Sequence, residues 1–173
     1  GLSTSHSVHK GMVHFGKKLE ELSKGRFKVQ IYPSQQLGTE RQCVELLQIG
    51  SLDMTKVSAS ILENFAPNIK VFGIPYMFRD KTHCFNVLDG PIGKELLNGT
   101  EKYWLKGLGY YDSGSRSFYT IDKSLVGPDD LDGLKIRVME SQTAIDMVKS
   151  LGGSPTPVSY THSPSPRDGI GSR

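Results

Sequence analysis

The first part of the chain changes from a helical to a strand spacing of apolar residues, and then repeats that change. In residues 7–23 the apolar positions fall three and four apart, which predicts an amphipathic helix. Residues 26–32 alternate apolar and polar side chains instead, which is typical of a half-buried strand. A capping box that begins at Thr39 predicts a second helix, which ends at Gly50. Residues 53–58 then predict a second short strand.

The same alternation continues to residue 151. Further helices are predicted at 81–88, where Asp80 is the cap, at 91–106 and at 141–151, and further strands at 108–113, 117–121 and 134–139. The apolar run 71–78 contains Pro75, so it is predicted to be an edge or bent segment. Residues 128–133 are predicted to be a connector. Because helices and strands alternate, we expect an α/β fold with a largely parallel sheet.

Charge and composition exclude several classes of protein. The 21 basic and 18 acidic residues give a net charge of +3 and are scattered, whereas nucleic-acid binding concentrates basic residues on one face. No stretch approaches the ~20 apolar residues of a membrane-spanning helix. We therefore expect neither a nucleic-acid partner nor a membrane-embedded chain. The two cysteines, Cys43 and Cys84, permit one disulfide, or are two small buried residues.

Both ends of the sequence depart from the pattern of its middle. The chain begins at Gly1 without an initiator Met and shows no signal peptide, so we expect that its original start has been removed. Residues 161–173 are rich in Pro, Gly and Ser and contain one apolar residue, Ile170. Such a composition cannot bury enough surface to offset its ordering entropy, so this tail is predicted to be disordered.

A search for catalytic patterns returns none. The sequence contains no nucleophile elbow, no phosphate-binding glycine loop and no zinc-protease motif. Its five histidines are spread along the chain and form no cluster with the cysteines. We therefore expect a protein that is not an enzyme and that uses neither a cofactor nor a metal.

Two arginines lie where an α/β fold can use them. Arg116 stands between two predicted strands, and Arg137 lies inside a strand on its less apolar face. A guanidinium offers paired donors that match a carboxylate, and ligands of α/β folds bind at the carboxyl ends of strands. Either arginine can therefore hold an organic acid. The alternative is that each belongs to an ion pair on the surface or between strands.

Three further residues each allow two interpretations. Glu40 either accepts hydrogen bonds from sugar hydroxyls or complements the dipole at the helix N-terminus. Ser58 ends a predicted strand and either contributes a hydroxyl to a site or, like most such serines, does not. His6 precedes the first helix as a ligand donor or simply as a helix-entry residue.

A series of motifs covers nearly the whole chain from residue 6 to 160. They are HSVHK at 6–10, IYPSQQLGTER at 31–41, GSLDMT at 50–55, IPYMFRD at 74–80, YDSGSRSFY at 111–119, LDGLKIRV at 131–138 and GGSPTPV at 152–158. In this order the motifs resemble the DctP-type extracytoplasmic binding proteins of TRAP transporters.

The resemblance implies a type II periplasmic-binding-protein-like fold, in which two lobes close on a ligand about a hinge. By that comparison residues 1–115 form most of the first lobe, without its first strand, and residues 116–160 begin the second lobe. The tail 161–173 lies outside the family pattern. Since family members are considerably longer, the resemblance implies a fragment truncated at both ends, with most of the second lobe missing.

The resemblance also implies a function. Arg137 matches the carboxylate-pairing arginine of the family, and Arg116 a second ligand contact. The motif at 111–119 is most similar to the branch that binds hexuronates, in which His6, Glu40 and Ser58 face the cleft. We therefore expect a periplasmic protein that captures a sugar acid for TRAP membrane permease subunits. The alternative is a ligand-sensing effector domain of a transcription regulator.

Overall fold

The computed structural model describes residues 4–112, 114–121 and 124–158. The α-helices of these ranges are α1 Ser7–Leu22, α2 Glu40–Gln48, α3 Ala59–Leu62, α4 Lys81–Leu88, α5 Pro91–Asn98 and α6 Gln142–Ser150. The strands are β1 Lys135–Val138 and β2 Ser154–Pro157, and short 3-10 helices cover Pro67–Gly73, Glu101–Tyr103 and Pro128–Leu131. The tail predicted to be disordered, 161–173, lies outside the described residues.

Three of the described helices, α2, α4 and α6, begin where a side chain at the predicted start caps them. At α2, Thr39 Oγ1 accepts from the Gln42 N–H at 3.3 Å, and Gln42 Oε1 accepts from the Thr39 N–H at 2.8 Å. Asp80 and Ser141 cap α4 and α6 in the same way, each through an acceptor oxygen on its side chain. A cap satisfies backbone donors that the first turn leaves without a partner, so the predicted starts of these helices are confirmed.

The helix predicted at 91–106 is shorter than expected, since α5 ends at Asn98. Thr100 Oγ1 donates to the carbonyl of Leu97 at 2.7 Å, and Trp104 adopts a left-handed φ of 63°. A left-handed residue cannot continue a right-handed helix. After Asn98 the chain therefore continues as a turn and the short 3-10 helix Glu101–Tyr103, and not as further α-helix.

Several predicted strands are not formed. In the described part of the chain no ladder includes 26–32, 53–58, 108–112 or 117–121, so those strand predictions were wrong. Alternating polarity reports one-sided burial, but a strand also needs a neighbour to which its backbone can bond. Segment 26–32 approaches α1 at Val29, whose Cβ lies 3.1 Å from the position a Gly16 Cβ would take, but Phe27 and Val29 remain 59% and 38% exposed.

The sheet of the described residues is one parallel βαβ unit. β1 pairs with β2 in a register that places Arg137 opposite Thr156, and α6 connects the two strands. β2 was not predicted as a strand, because Pro155 and Pro157 alternate along it. The backbone nitrogens of these prolines carry no hydrogen and face away from β1. The N–H groups of Ser154 and Val158 face β1, and they donate to the carbonyl just before the strand and to its last carbonyl, at 2.8 and 3.0 Å.

The most buried side chains link this unit to the helices before it. Val44 of α2 and Val148 of α6 are completely buried, and Ile61 of α3 is 4% exposed. Burial of such a side chain contributes about 1.5–3 kcal/mol, so each of these positions stabilises the fold. Cys43 and Cys84 are both free thiols, and the disulfide that their number permits is not formed.

Candidate ligand-binding site

Arg137 lies near the carboxyl end of β1 with its side chain on the exposed face. The neighbouring Val138 is buried, as the alternation of the strand predicts. The Arg137 guanidinium donates through Nη2 to the carbonyl of Val158 at 3.0 Å and contacts Met139 Sδ at 3.6 Å. These contacts hold the exposed cation at the end of the parallel pair, where α/β folds bind their ligands.

Met139 departs from the predicted pattern. The sequence places it on the same face as Arg137, yet it is only 3% exposed. β1 ends at Val138, and the Ser141 N–H donates to the Met139 carbonyl at 2.8 Å, so the chain turns here before α6. The strand alternation therefore stops one residue earlier than expected, and Met139 packs inward beneath the arginine.

Glu40, at the start of α2, is joined directly to Ser58. Its Oε2 accepts from the Ser58 N–H at 3.0 Å, and its Oε1 lies 3.0 Å from Lys56 Nζ. The side chains of Glu40 and Lys56 are 17% and 23% exposed, so this ion pair is largely shielded from water. The structure thus brings two of the predicted site residues together, with a lysine that the sequence analysis did not identify.

The environment of Glu40 keeps its carboxylate ionised. Burial on its own raises the pKa, but the charge of Lys56 and the hydrogen bonds from Ser58 and Lys56 outweigh burial and lower the pKa below its ordinary value. The position at the first turn of α2 acts in the same direction, because a helix N-terminus favours negative charge. Glu40 therefore presents a fixed negative charge close to the surface.

A narrow crevice connects Glu40 with the end of β1. Its lining residues are Gln35, Thr39, Glu40, Arg41, Ile61, Met139 and Glu140. The cavity volume is about 10 Å³, which is room for roughly one water molecule and not for a sugar acid. The crevice is relevant because it reaches the arginine: Met139 lines the crevice and also contacts the Arg137 guanidinium.

The two remaining predicted site residues lie elsewhere. His6 is the exposed N-cap of α1, and its Nδ1 accepts from the Val8 N–H at 3.2 Å. Arg116 is exposed in the segment 114–121. In the described ranges no hydrogen bond or ion pair joins either residue to Glu40, Ser58 or Arg137. The geometry of His6 is that of a helix-entry residue, one of the two interpretations its position allowed.

Sequence analysis missed two residues that shape this region. Lys56 stands two positions before Ser58, and both donate to the Glu40 carboxylate, a contact for which the sequence offered no periodic signal. Glu63 interrupts an apolar run between Leu62 and Phe65, and it is only 2% exposed. A charged residue inside such a run was the available signal for a buried polar role.

No group of three or more His, Cys, Asp or Glu side chains arranged to hold a metal ion occurs in the described ranges. None of the described helices has the length and hydropathy that crossing a bilayer requires.

Residues 1–162 match the bacterial extracellular solute-binding protein family 7, DctP. The chain belongs to this family. The match covers most of the chain and confirms the resemblance carried by the motifs. Proteins of the DctP family are bacterial extracellular solute-binding proteins.

The chain is similar to DctP-type proteins in sequence and also in fold. A solute-binding protein of Verminephrobacter eiseniae is 37% identical over 92% of this chain and 48% of its own length. A TRAP periplasmic solute-binding protein of Bradyrhizobium sp., solved with α/β-D-galacturonate, is 42% identical with a TM-score of 0.86, over 91% of this chain and 53% of its own. A third, from Anaerococcus prevotii with bound D-glucuronate, is 37% identical with the same TM-score of 0.86, over 91% and 51% of the two chains.

These likenesses confirm the α/β, periplasmic-binding-protein type of fold, of which this chain forms a part. The chain spans about half the length of the relatives it matches. The parallel βαβ unit and the helices before it therefore correspond to one portion of a longer DctP protein.

Proposed function

We propose that the chain is part of a periplasmic DctP protein that captures a sugar acid, of the hexuronate class, for a TRAP transporter. The observation that carries the proposal is the exposed Arg137 guanidinium at the carboxyl end of β1. A planar guanidinium pairs with a carboxylate through parallel N–H donors, which fixes both the position and the orientation of the acid.

The ion pair beside the strand end suits the rest of such a ligand. Glu40 uses one lone pair of each oxygen on Lys56 and Ser58, and a carboxylate offers about four in all. Further lone pairs are then available to sugar hydroxyls. D-galacturonate and D-glucuronate in the two similar structures carry a carboxylate and several hydroxyls, so both match this combination of charges.

Arg116 and His6 enter the proposal in secondary roles. In the division implied by the family, residues 1–115 belong to the first lobe and 116–160 to the second, so Arg116 stands at their boundary. We assign Arg116 as a second contact of the acid that forms when the lobes close. His6 and the hydroxyl of Ser58 are assigned to the rim of the cleft.

The partners of the protein follow from the same assignment. DctP proteins release their solute to TRAP permease subunits in the membrane, so the proposed partners are one small acid and those subunits. The family match favours this transport role over a ligand-sensing effector domain of a transcription regulator. Binding without chemical change is expected, because no step other than capture and release is required.

The proposal is tested by isothermal titration calorimetry on the complete gene product. D-galacturonate and D-glucuronate are compared with D-galactose and D-glucose, which replace the carboxylate by a hydroxymethyl group. The acids are expected to bind about tenfold to a hundredfold more tightly, since a charged hydrogen-bond pair contributes about 1.5–3 kcal/mol. Chromatography of the released ligand is expected to return it unchanged.

Equal affinity for acids and neutral sugars would contradict the role of Arg137. An absence of binding to any of the carboxylated sugars would contradict the sugar-acid proposal itself. A thermal-shift screen against dicarboxylates then identifies any other acid, because a ligand that binds only the folded state raises the melting temperature.

A further inference from the structure

Glu63, at the C-terminal end of α3, carries a buried carboxylate. It is 2% exposed. Its Oε1 accepts from the Ser141 hydroxyl at 2.8 Å and from the Thr143 N–H at 3.1 Å. Its Oε2 is buried and has no hydrogen-bond partner in the described part of the chain.

Burial of a carboxylate is energetically unfavourable. Desolvation of an ionised group is unfavourable unless charges and hydrogen bonds compensate it. Within the described ranges no Lys, Arg or His pairs with Glu63, and the N-terminus of α6 is its main compensation. An apolar residue of similar size would fill the position without this cost, so packing alone does not account for a glutamate here.

The acceptor bonds of Glu63 hold the segment that follows the strand of Arg137. Ser141 is the N-cap of α6 and is separated from β1 only by Met139 and Glu140. The neighbouring Asn64 donates through Nδ2 to the Glu140 carbonyl at 2.9 Å. Two consecutive residues at the end of α3 therefore fix two consecutive residues after β1.

The other end of α3 reaches the ion pair of the site. Ser58 is the N-cap residue of α3, and its N–H is the donor to Glu40. α3 itself is a single turn, Ala59–Leu62, with a length of about 6 Å at 1.5 Å per residue. The same short helix thus contacts Glu40 at its start and the exit of β1 at its end.

We infer that Glu63 is a positioning residue of the ligand site, which sets the end of β1 and Arg137 relative to Glu40 and Ser58. This inference rests on the proposed function, because its consequence is the affinity for the acid. Binding groups must be held within about 0.5 Å of their productive geometry, so the hydrogen bonds of Glu63 and not only its bulk determine affinity.

Two substitutions separate geometry from charge. Glu63→Gln keeps the length and an oxygen that accepts from both Ser141 and Thr143, but removes the charge. Glu63→Asp keeps the charge, but withdraws the carboxylate by about 1.5 Å, the length of one carbon–carbon bond. Glu21→Asp on the exposed face of α1 is the matched control for the shortened side chain.

Affinity for D-galacturonate is measured by calorimetry on the complete gene product, with the melting temperature of each variant recorded without ligand. Glu63→Gln is expected to bind within about threefold of the wild type, and Glu63→Asp about tenfold more weakly while still folded. Glu21→Asp is expected to match the wild type. A purely structural role would lower the melting temperature of Glu63→Asp and leave the affinity of its folded molecules unchanged.

The possible failures are distinguishable. Wild-type affinity in folded Glu63→Asp, or equal weakening in Glu63→Gln, overturns the inference and leaves the proposed function intact. A wild-type protein that binds no sugar acid overturns both. If Glu63→Asp does not fold, Asn64→Ala removes the neighbouring bond to Glu140 instead, and wild-type affinity in that variant overturns the inference.

Discussion

The backbone N–H of Ser58 donates to Glu40 Oε2 at 3.0 Å, which joins the start of α3 to the start of α2. Sequence analysis treated these two residues as separate candidates for ligand contact. Their direct bond gives Glu40 a structural role as well, since it ties together two consecutive helices. The hydrogen bond and the Lys56 ion pair are what lower the pKa of Glu40, against the effect of burial.

Glu40 should make stability depend on pH in the acid range. Because the fold lowers its pKa below the ordinary value of 4.5, the ionised carboxylate stabilises the folded state. This stabilisation is complete above pH 4.5 and is lost as the pH falls through the lowered pKa. We expect Glu40→Gln to lower the melting temperature at neutral pH, and the difference from wild type to shrink on acidification.

The control for this titration is Glu45→Gln in the same helix. Glu45 pairs with Arg41 on the surface, where the two side chains are 51% and 57% exposed, and such pairs contribute little. We expect a small difference for Glu45→Gln at neutral pH. A Glu40→Gln difference that stayed constant from neutral to acid pH would show that its ionisation is not what stabilises the fold.

Arg137 should account for much of the affinity for an acid. In Arg137→Ala we expect a loss of about 2 kcal/mol or more, because charged hydrogen bonds to the carboxylate disappear. Arg137→Lys should recover only part of the loss, since an ammonium is a point charge and lacks the planar pair of donors. Calorimetric titration with D-galacturonate measures both variants.

Lys135→Ala is the matched control for the arginine, because Lys135 is an exposed cation on the same strand. Its loss should leave affinity within about twofold of wild type, as expected for a screened surface charge. Unchanged affinity in Arg137→Ala would contradict a specific contact between Arg137 and the acid. An equal loss in Lys135→Ala would show that affinity depends on the general positive charge of the strand.

The sequence predicted those parts of the fold that depend on local interactions. The cap of α2 at Thr39 and the alternation that exposes Arg137 involve residues within a few positions of each other, so both are confirmed. Segment 26–32 was wrongly predicted as a strand, because its alternation does not supply a pairing neighbour, and its apolar residues Phe27 and Val29 remain 59% and 38% exposed. Pairing is a long-range property that alternation alone does not encode.

The candidate site shows the same limit. Arg137 and Glu40 were identified singly, from residue type and from the family motifs. The partners of Glu40 are distant in sequence, and so is the bond between Glu63 and Ser141. A contact between positions this far apart leaves no periodic trace in one sequence. Residue type and family motifs therefore identified the candidate side chains one by one, whereas the fold shows which of them contact each other.

Thr39 should contribute to stability through the cap of α2. Its hydroxyl accepts from the Gln42 N–H and its own N–H is bonded by the Gln42 side chain. We expect Thr39→Ala to lower the free energy of unfolding by about 1 kcal/mol, and Thr39→Ser to retain most of it. Urea denaturation measures both, and an equal loss in the two variants would attribute the effect to the methyl group instead of the hydroxyl.

Gly73 should be sensitive to a single added methyl group, because it ends the 3-10 helix Pro67–Gly73 and packs there against Thr143 of α6. A Cβ built on Gly73 would lie 2.9 Å from Thr143 Cγ2, closer than the two carbons can approach. We expect Gly73→Ala to lower the free energy of unfolding by about 1–3 kcal/mol, as for other overpacked sites. Gly109→Ala is the control, because among the described residues, its two chain neighbours apart, no atom lies within 4 Å of the position its Cβ would take.

The cause of that loss can be isolated with a second substitution. Thr143→Ser removes the methyl group that Gly73→Ala would meet and keeps the N–H that donates to Glu63. In urea denaturation of the two single variants and the double variant, the Gly73→Ala loss should fall by half or more when Thr143 is serine. A full loss in that background would place the strain in the backbone of Gly73 and not in its contact with α6.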